Sequence, residues 1–309
     1  MGLLFGTRVF YLLIAAPVSY FFWHRKGGSF NENDNFFDKG VKTLDVFDST
    51  QFKGVIEQNG YQWETNHAFM PLYPYVMAKL KAMTSIEVFA INFIYQFILQ
   101  FLNAGIIYKL GQKVLLKEDL AFKSAVLYLF NHALVYNLAL QTEVTYTFLT
   151  LLGLLLAYRK VQPHQTVKSV QCNSLIPANF IWGLNVLTRA QGLLMLGFSG
   201  QVMLKKIASN SDRFCKTFKY IFYTVWIVII YALSYAMVTY WKPYIMHCET
   251  KLDRTDAVPQ WCFEEMPNVF SYIQRVYWDN RIFGFLHRSP DHILGISFTS
   301  SSQRMYSTT

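Results

Sequence analysis

Read from its amino terminus, the chain alternates long apolar runs with short polar intervals. Residues 3–23 are almost wholly apolar or aromatic, with Arg8 inside the run and His24-Arg25-Lys26 after it. The run is long for a leader, and no small-x-small cleavage site follows. It predicts an uncleaved first transmembrane helix, with a cleaved signal peptide as the alternative. Residues 27–85 are polar, and within them 43–58 predicts a short helix. Leu44, Phe47, Val55 and Ile56 give that helix a partial apolar face, and Asp45 and Asp48 share a side of it. Pro71 and Pro74 break or kink any helix through the run that follows. Residues 86–110 form the second long apolar run. It carries Asn92, Gln96, Gln100 and Asn103 near helical spacing, a polar stripe that in a membrane either bonds to a neighbouring helix or lines a cavity.

Further on, 109–123 reads as a basic loop, and 122–140 and 144–158 are apolar segments separated by Gln141-Thr142-Glu143. Each is short for a full span. The run 175–204 is interrupted by Arg189, Gln191 and Gly192, which predicts two short or re-entrant helices. Residues 205–219 are basic again, and 220–241 is an unambiguous span. The pattern predicts an all-α polytopic membrane protein. With the basic stretches 109–123, 159–168 and 205–219 in the cytosol, the segment 27–85, Glu143, Arg189, Gln191 and everything after Trp241 lie on the opposite side. His24-Arg25-Lys26 runs against this orientation.

Composition agrees with this reading. The 309 residues are 53% hydrophobic, 17% aromatic and 15% charged, against about a quarter charged in soluble domains. The net charge of +9 is scattered between apolar runs rather than gathered in a patch, which argues against nucleic acid as a partner. There is no CxxC, no Cys/His group with zinc spacing, no phosphate-binding glycine loop, no HExxH and no GxSxG. No metal and no cofactor is therefore expected. Cys248 and Cys262 fall in the polar tail, where an oxidising compartment would allow a disulfide; two free thiols are the alternative. Residues from 289 onward are Ser/Thr-rich and patternless, which predicts a disordered tail.

The segment between the first two apolar runs carries Phe47-Asp48, Phe52, Gly60-Tyr61, Glu64 and Ala68-Phe69-Met70-Pro71-Leu72-Tyr73-Pro74. Three further blocks follow in order: Phe130-Asn131 with Thr142-Glu143 and Phe148; Thr188-Arg189-Ala190-Gln191-Gly192; and Trp261-Cys262 with Pro267, Tyr272-Ile273-Gln274 and Tyr277-Trp278. Together they resemble the GPI mannosyltransferase 2 (PIG-V) family over residues 40–288. Phe47 stands where that family has Trp, His132 where it has Pro, and Gln260 where it has Pro. The resemblance implies a GT-C-like transmembrane helix bundle with lumenal loop helices. It implies a single membrane domain over 1–288, with a catalytic lumenal loop at 24–85 and a lumenal tail block at 242–288, and 289–309 unmatched. The family continues with further transmembrane helices, so the chain reads as truncated at its carboxyl end.

What the resemblance implies chemically is inverting transfer of the second mannose, α-1,6-linked, from dolichyl-phosphate mannose to the GPI-anchor precursor at the ER membrane, with the loop facing the lumen. An accessory membrane subunit is a possible partner on this reading. One carboxylate serves as general base for the acceptor hydroxyl; Asp48 is the candidate, with Asp45 as the alternative. Arg189 is the candidate for the donor phosphate, because a guanidinium in an apolar run is costly unless functional or paired. Glu143 either pairs with Arg189 or contacts the acceptor. Gln191, Glu64, Tyr73, Gln274 and Trp278 complete the expected substrate contacts, Tyr73 and Trp278 by stacking on sugar unless they sit at the lipid interface. His67 reads as a solvated loop residue. The rivals are another polyprenyl-phosphate-dependent glycosyltransferase, an inactive subunit, or a polytopic transporter, although no internal repeat supports the last.

Overall fold

The computed structural model describes residues 48–58, 60–61, 64–115, 117–130, 139–161, 170–208, 214–249, 259–263 and 268–277. The expected first transmembrane helix and the tail from 289 lie outside these residues. Among the described residues the regular structure is helical, with no strand. The helices are α1 (Asp48–Glu57), α2 (Leu72–Thr84), α3 (Val88–Val114), α4 (Glu118–Leu129), α5 (Glu143–Ala157), α6 (Cys172–Val186), α7 (Leu194–Ala208), α8 (Phe214–Ala236) and α9 (Val269–Tyr277). Short 3-10 turns cover Glu64–Ala68, Ala190–Leu193 and Gln260–Phe263.

Two helices are long and apolar enough to cross a bilayer, Val88–Val114 and Phe218–Glu249. The second bares Phe218, Phe222, Val225, Trp226, Ile229 and Leu233. A contiguous apolar face of that size is stable against lipid and a liability in water. With the helical content, it makes this an all-α membrane protein. Helices α5, α6 and α7 have 15 residues each, roughly 22 Å at helical rise, which is short of a hydrocarbon core. The polar break in 175–204 does divide that run into two short helices.

Local chemistry explains the ends. Pro71 and Pro74 do not break α2; they start it, because the first turn has no use for their missing N–H groups. Glu87 caps α3, its Oε2 accepting from the Phe89 N–H at 2.7 Å and the Ala90 N–H at 3.3 Å. The expected basic loop at 109–123 is not a loop. Helix α3 runs through Lys109 and Lys113 to Val114, and α4 begins at Glu118. Lys113 Nζ donates to the carbonyls of Tyr158 at 2.9 Å and Arg159 at 3.0 Å, so a cation near one helix end serves the carbonyls at the end of another.

The main core joins α5–α8 around Trp182, Leu175, Met203 and Tyr231. Trp182 is fully buried, and its indole N–H donates to the Thr150 carbonyl at 3.1 Å. This contact needs glycine at 153, where a Cβ would stand 2.1 Å from the indole nitrogen. A second core packs α1 and α2 on α3 through Phe52, Ile56, Tyr73, Met77 and Phe89. A third holds the tail: Cys248 and Cys262 form the disulfide, around Trp261, Val269 and Ile273. Gly153→Ala should therefore destabilise the protein by about 1–3 kcal/mol through overpacking, although alanine is the better helix former. Unfolding in mixed micelles measures this, and the smaller ring of Trp182→Phe should recover part of the loss in the double variant.

Candidate active site

A cavity of about 170 Å³ is lined by Asp48 and Phe52 of α1, Phe69 and Met70, Gln141-Thr142-Glu143, Thr188-Arg189-Ala190-Gln191 and Phe270 of α9. Five stretches of the chain meet here. Asp48, Glu143, Arg189 and Gln191, which the loop-charge pattern put on one side of the membrane, come together.

The segment before Glu143 is not helical, so its carbonyls need donors from elsewhere. The polar stripe of α3 supplies them. Asn92 Nδ2 donates to the Ala139 carbonyl at 3.0 Å and Gln96 Nε2 to the Gln141 carbonyl at 2.8 Å; further along the stripe Asn103 Nδ2 reaches the Val144 carbonyl, in the first turn of α5, at 3.3 Å. Ser49, the neighbour of Asp48, donates its hydroxyl to the Leu140 carbonyl at 3.4 Å. The stripe thus bonds to its neighbouring segment and does not line the cavity.

The turn carrying Arg189 is fixed as firmly. The N–H groups of Thr188 and Arg189 both donate to the Asn185 carbonyl, at 3.0 and 3.1 Å, and Asn185 Nδ2 donates to Thr150 Oγ1 at 2.8 Å. The Leu72 N–H donates to the Leu187 carbonyl at 2.9 Å, which ties the start of α2 to the turn. Gly192 ends the motif because a Cβ there would lie 2.6 Å from the Val186 nitrogen. No rotamer relieves a clash with backbone.

Arg189 Nη1 donates to Glu143 Oε1 as an ion pair, and Arg189 Nε donates to Gln191 Oε1 at 3.4 Å. Glu143 Oε2 and Thr188 Oγ1, on residues that line the cavity, are buried without a hydrogen-bond partner. Asp48 is exposed by surface area yet stands in a concave wall. Burial there raises its pKa, the Glu143 carboxylate raises it further, and Arg189 pulls it back. The arrangement is an accessible carboxylate, made more basic by its surroundings, beside a guanidinium held by a second carboxylate. Such a site can take a proton from a hydroxyl and meet developing negative charge.

Two expectations are corrected. Tyr73, expected to stack on sugar or sit at the lipid interface, is fully buried. Its hydroxyl donates to Asn92 Oδ1 at 2.7 Å, and its ring meets Phe52 edge-on at 5.2 Å, so it belongs to the core. His67 is not solvated. It is buried, stacks on Tyr61 at 4.8 Å, and brings Nε2 to 2.9 Å from Nε2 of His247. Burial, then His247 and Lys242, lower its pKa to about 3. Its partner lies 180 residues away, beyond any local pattern. Asp45 and Trp278 lie outside the described residues, as do the side chains of Glu64 and Gln274. Sequence reasoning missed Phe270, which lines the cavity; it is one helical turn before Gln274, and that spacing was the available signal.

A family model described as Mannosyltransferase (PIG-V) matches residues 17–289. The chain is 22% identical to the GPI mannosyltransferase 2 of Drosophila pseudoobscura pseudoobscura over 289 residues, covering 82% of this chain and 60% of that protein. It is 23% identical to the GPI mannosyltransferase 2 of Schizosaccharomyces pombe over 229 residues, covering 72% of this chain and 44% of that protein. It thus spans 60% and 44% of the lengths of these relatives. No solved structure matches it.

The donor bond from Gln96 has a measurable consequence. Gln96→Leu keeps the bulk and leaves the Gln141 carbonyl unsatisfied. It should cost about 1 kcal/mol, the scale of interhelical hydrogen bonds in membranes, read from unfolding in mixed micelles, with Leu99→Ile as the packing control.

Proposed function

The chain belongs to the Mannosyltransferase (PIG-V) family, and from that premise we propose that it carries the site of a GPI-anchor mannosyltransferase. Its reaction is transfer of the second mannose, α-1,6-linked, from dolichyl-phosphate mannose to the GPI precursor at the lumenal face of the ER membrane. The observation that carries this reading is the convergence of Asp48, Glu143 and Arg189 on one cavity from segments far apart in sequence. The Cys248–Cys262 disulfide supports the orientation, since such bonds persist in oxidising compartments. An accessory membrane subunit remains part of the proposal.

The donor is β-linked and the product α-linked, so one displacement with inversion suffices. The acceptor hydroxyl attacks the anomeric carbon from the face opposite the phosphate. Its proton passes to Asp48 as the new C–O bond forms. The bond from the anomeric carbon to the phosphate oxygen breaks, and its electron pair leaves with dolichyl phosphate. That group departs as a weak base and needs charge stabilisation more than a strong acid. Arg189 supplies it through the N–H groups that Glu143 and Gln191 leave open. Glu143 holds the guanidinium in place.

Microsomes from cells lacking the second GPI mannosyltransferase, supplied with the full protein, test this reading. Wild type should restore mannose transfer, and Asp48→Asn should lower it at least about 100-fold, the scale of a lost general base. Undiminished transfer by Asp48→Asn would remove Asp48 from the chemistry and leave Asp45 as the base. Failure of the wild type to restore transfer would sink the substrate assignment.

The pH profile separates the neighbours. The base must be ionised, so transfer rises with pH through the raised pKa of Asp48. Glu143→Gln removes a negative charge that raises this pKa, so the acid limb should move to lower pH. Arg189→Gln removes a positive charge that lowers it, so the limb should move to higher pH. Shifts in the same direction for both variants would contradict the assignment.

A further inference from the structure

Two histidines meet inside the protein at a point the transfer chemistry does not use. His67 stands in the 3-10 turn Glu64–Ala68, and His247 in a π-helical turn at Ile245–Glu249. Their Nε2 atoms are 2.9 Å apart, and the two residues are only 4% and 5% exposed. One ring donates and the other accepts, so the bond needs an unprotonated Nε2 on one side. Burial, then His247 and Lys242, hold the His67 pKa down to about 3, which keeps its ring neutral. Two imidazoles out of water are a costly way to fill space. What they add over two apolar rings is direction, because only one docking of the two turns makes the bond.

Each ring is attached to a different part of the site. On the first side, Tyr61 stacks on His67, and its hydroxyl donates to the Phe69 carbonyl at 2.8 Å. The Phe69 ring meets Phe52 of α1 at 5.0 Å, and α1 starts at Asp48. Ala68, Phe69 and Met70 all line the cavity. On the second side, His247 precedes Cys248, which is bonded to Cys262, and meets the Trp261 ring edge-on at 6.5 Å. Trp261 shares a core with Val269 and Ile273 of α9, on which Ala68 also packs. Helix α9 brings Phe270 to the cavity. The pair thus joins one wall of the site, residues 68–70, to the block that supplies another.

We propose that His67 and His247 are positioning residues of the site: their bond locks the tail block to residues 68–70 in one register, and so sets both Phe270 and the helix that carries Asp48. Neither ring lines the site cavity, so both act through Phe69 and Phe270. The proposal deepens the transfer reading and rests on it for its kinetic readouts. Asp48 is the sensitive reporter. Burial is the largest cause of its raised pKa, ahead of Glu143, while Arg189 opposes both. A wall that loosens admits water to Asp48 and lets that pKa fall.

A double variant separates positioning from stability. His247→Leu alone leaves His67 Nε2 in the core without this bond and should destabilise the full chain in mixed micelles. His67→Phe with His247→Leu removes both polar groups, keeps a ring against Tyr61, and should return most of the lost stability. Positioning should not return with it. Hydrogen exchange read by mass spectrometry needs no turnover. In the double variant, residues 66–70 and 269–273 should exchange about fivefold faster than in wild type, the scale of one hydrogen bond, with α5 and α6 unchanged. Mannose transfer should stay reduced, with its acid limb at lower pH. His247→Gln, whose side-chain N–H can still make the bond, should keep wild-type exchange and transfer. Tyr61→Phe covers a double variant that does not fold. It keeps the stack, loses only the bond to Phe69, and should speed exchange at 66–70 but not at 269–273. Wild-type exchange in the double variant would overturn the proposal, as would faster exchange with wild-type transfer and pH profile, or unchanged exchange at 66–70 in Tyr61→Phe. Absence of transfer by the wild type would count against the reaction, and the exchange results would then decide the positioning role by themselves.

Discussion

A stretch of backbone that is neither helix nor strand, held inside a membrane protein, has to find donors for its carbonyls. Residues 139–142 are such a stretch, and the site depends on how their demand is met. Asn92 and Gln96 of α3 and Ser49 of α1 each donate to a different carbonyl in it. The segment is packed between helices, and taking the donor from one of these carbonyls costs about 1 kcal/mol. One consequence is that Glu143 starts α5 at a fixed height. Another is that α1 is pinned through Ser49, so Asp48, its neighbour, is aimed by the same segment that delivers Glu143. The two carboxylates are therefore placed by one structural device.

Placing two carboxylates at one cavity creates an electrostatic problem that a single arginine resolves only in part. Arg189 is bonded to Glu143 and Gln191, and it lowers the Asp48 pKa less than burial and Glu143 raise it. An acid left partly uncompensated is a better base than one fully paired. The asymmetry follows from the turn. Gly192 and the double use of the Asn185 carbonyl fix the backbone of Arg189, so its guanidinium is committed to Glu143. Had the arginine sat on a flexible loop, it could have paired with either acid and quenched both.

Much of this was legible in the sequence, and the exceptions share a cause. The apolar runs at 86–110 and 220–241, the division of 175–204, the polar stripe and the convergence of Asp48, Glu143, Arg189 and Gln191 all follow from periodicity and charge. These are local signals, and each stands on a long element. The losses came where a residue's role depends on a distant partner. His67 looked solvated because its segment is polar, but Tyr61 and His247 bury it. Tyr73 looked like a sugar platform because it stands in an aromatic motif, but Asn92 takes its hydroxyl. The supposed basic loop at 109–123 failed for another reason. Lysines mark membrane ends in either conformation, and charge alone cannot tell a loop from the last turns of a helix.

The wall of aromatic rings beside the site brings these threads together. It is built from the second and third turns of α1, the stretch from His67 to Pro71 and the residues before Arg189. Phe52 meets the rings of Phe69 at 5.0 Å and Tyr73 at 5.2 Å, both edge-on. Interlocked rings of this kind have few rotamers available, and none is open without a cavity forming behind it. Beside that wall stand Glu143 Oε2 and Thr188 Oγ1, both buried without a hydrogen-bond partner. The same ring packing accounts for the density of the aromatic motif around Pro71 and Pro74, where Tyr73 is fully buried against Phe52 and does not line the site. The motif's work is packing, which holds the wall beside which Asp48, Glu143 and Arg189 meet.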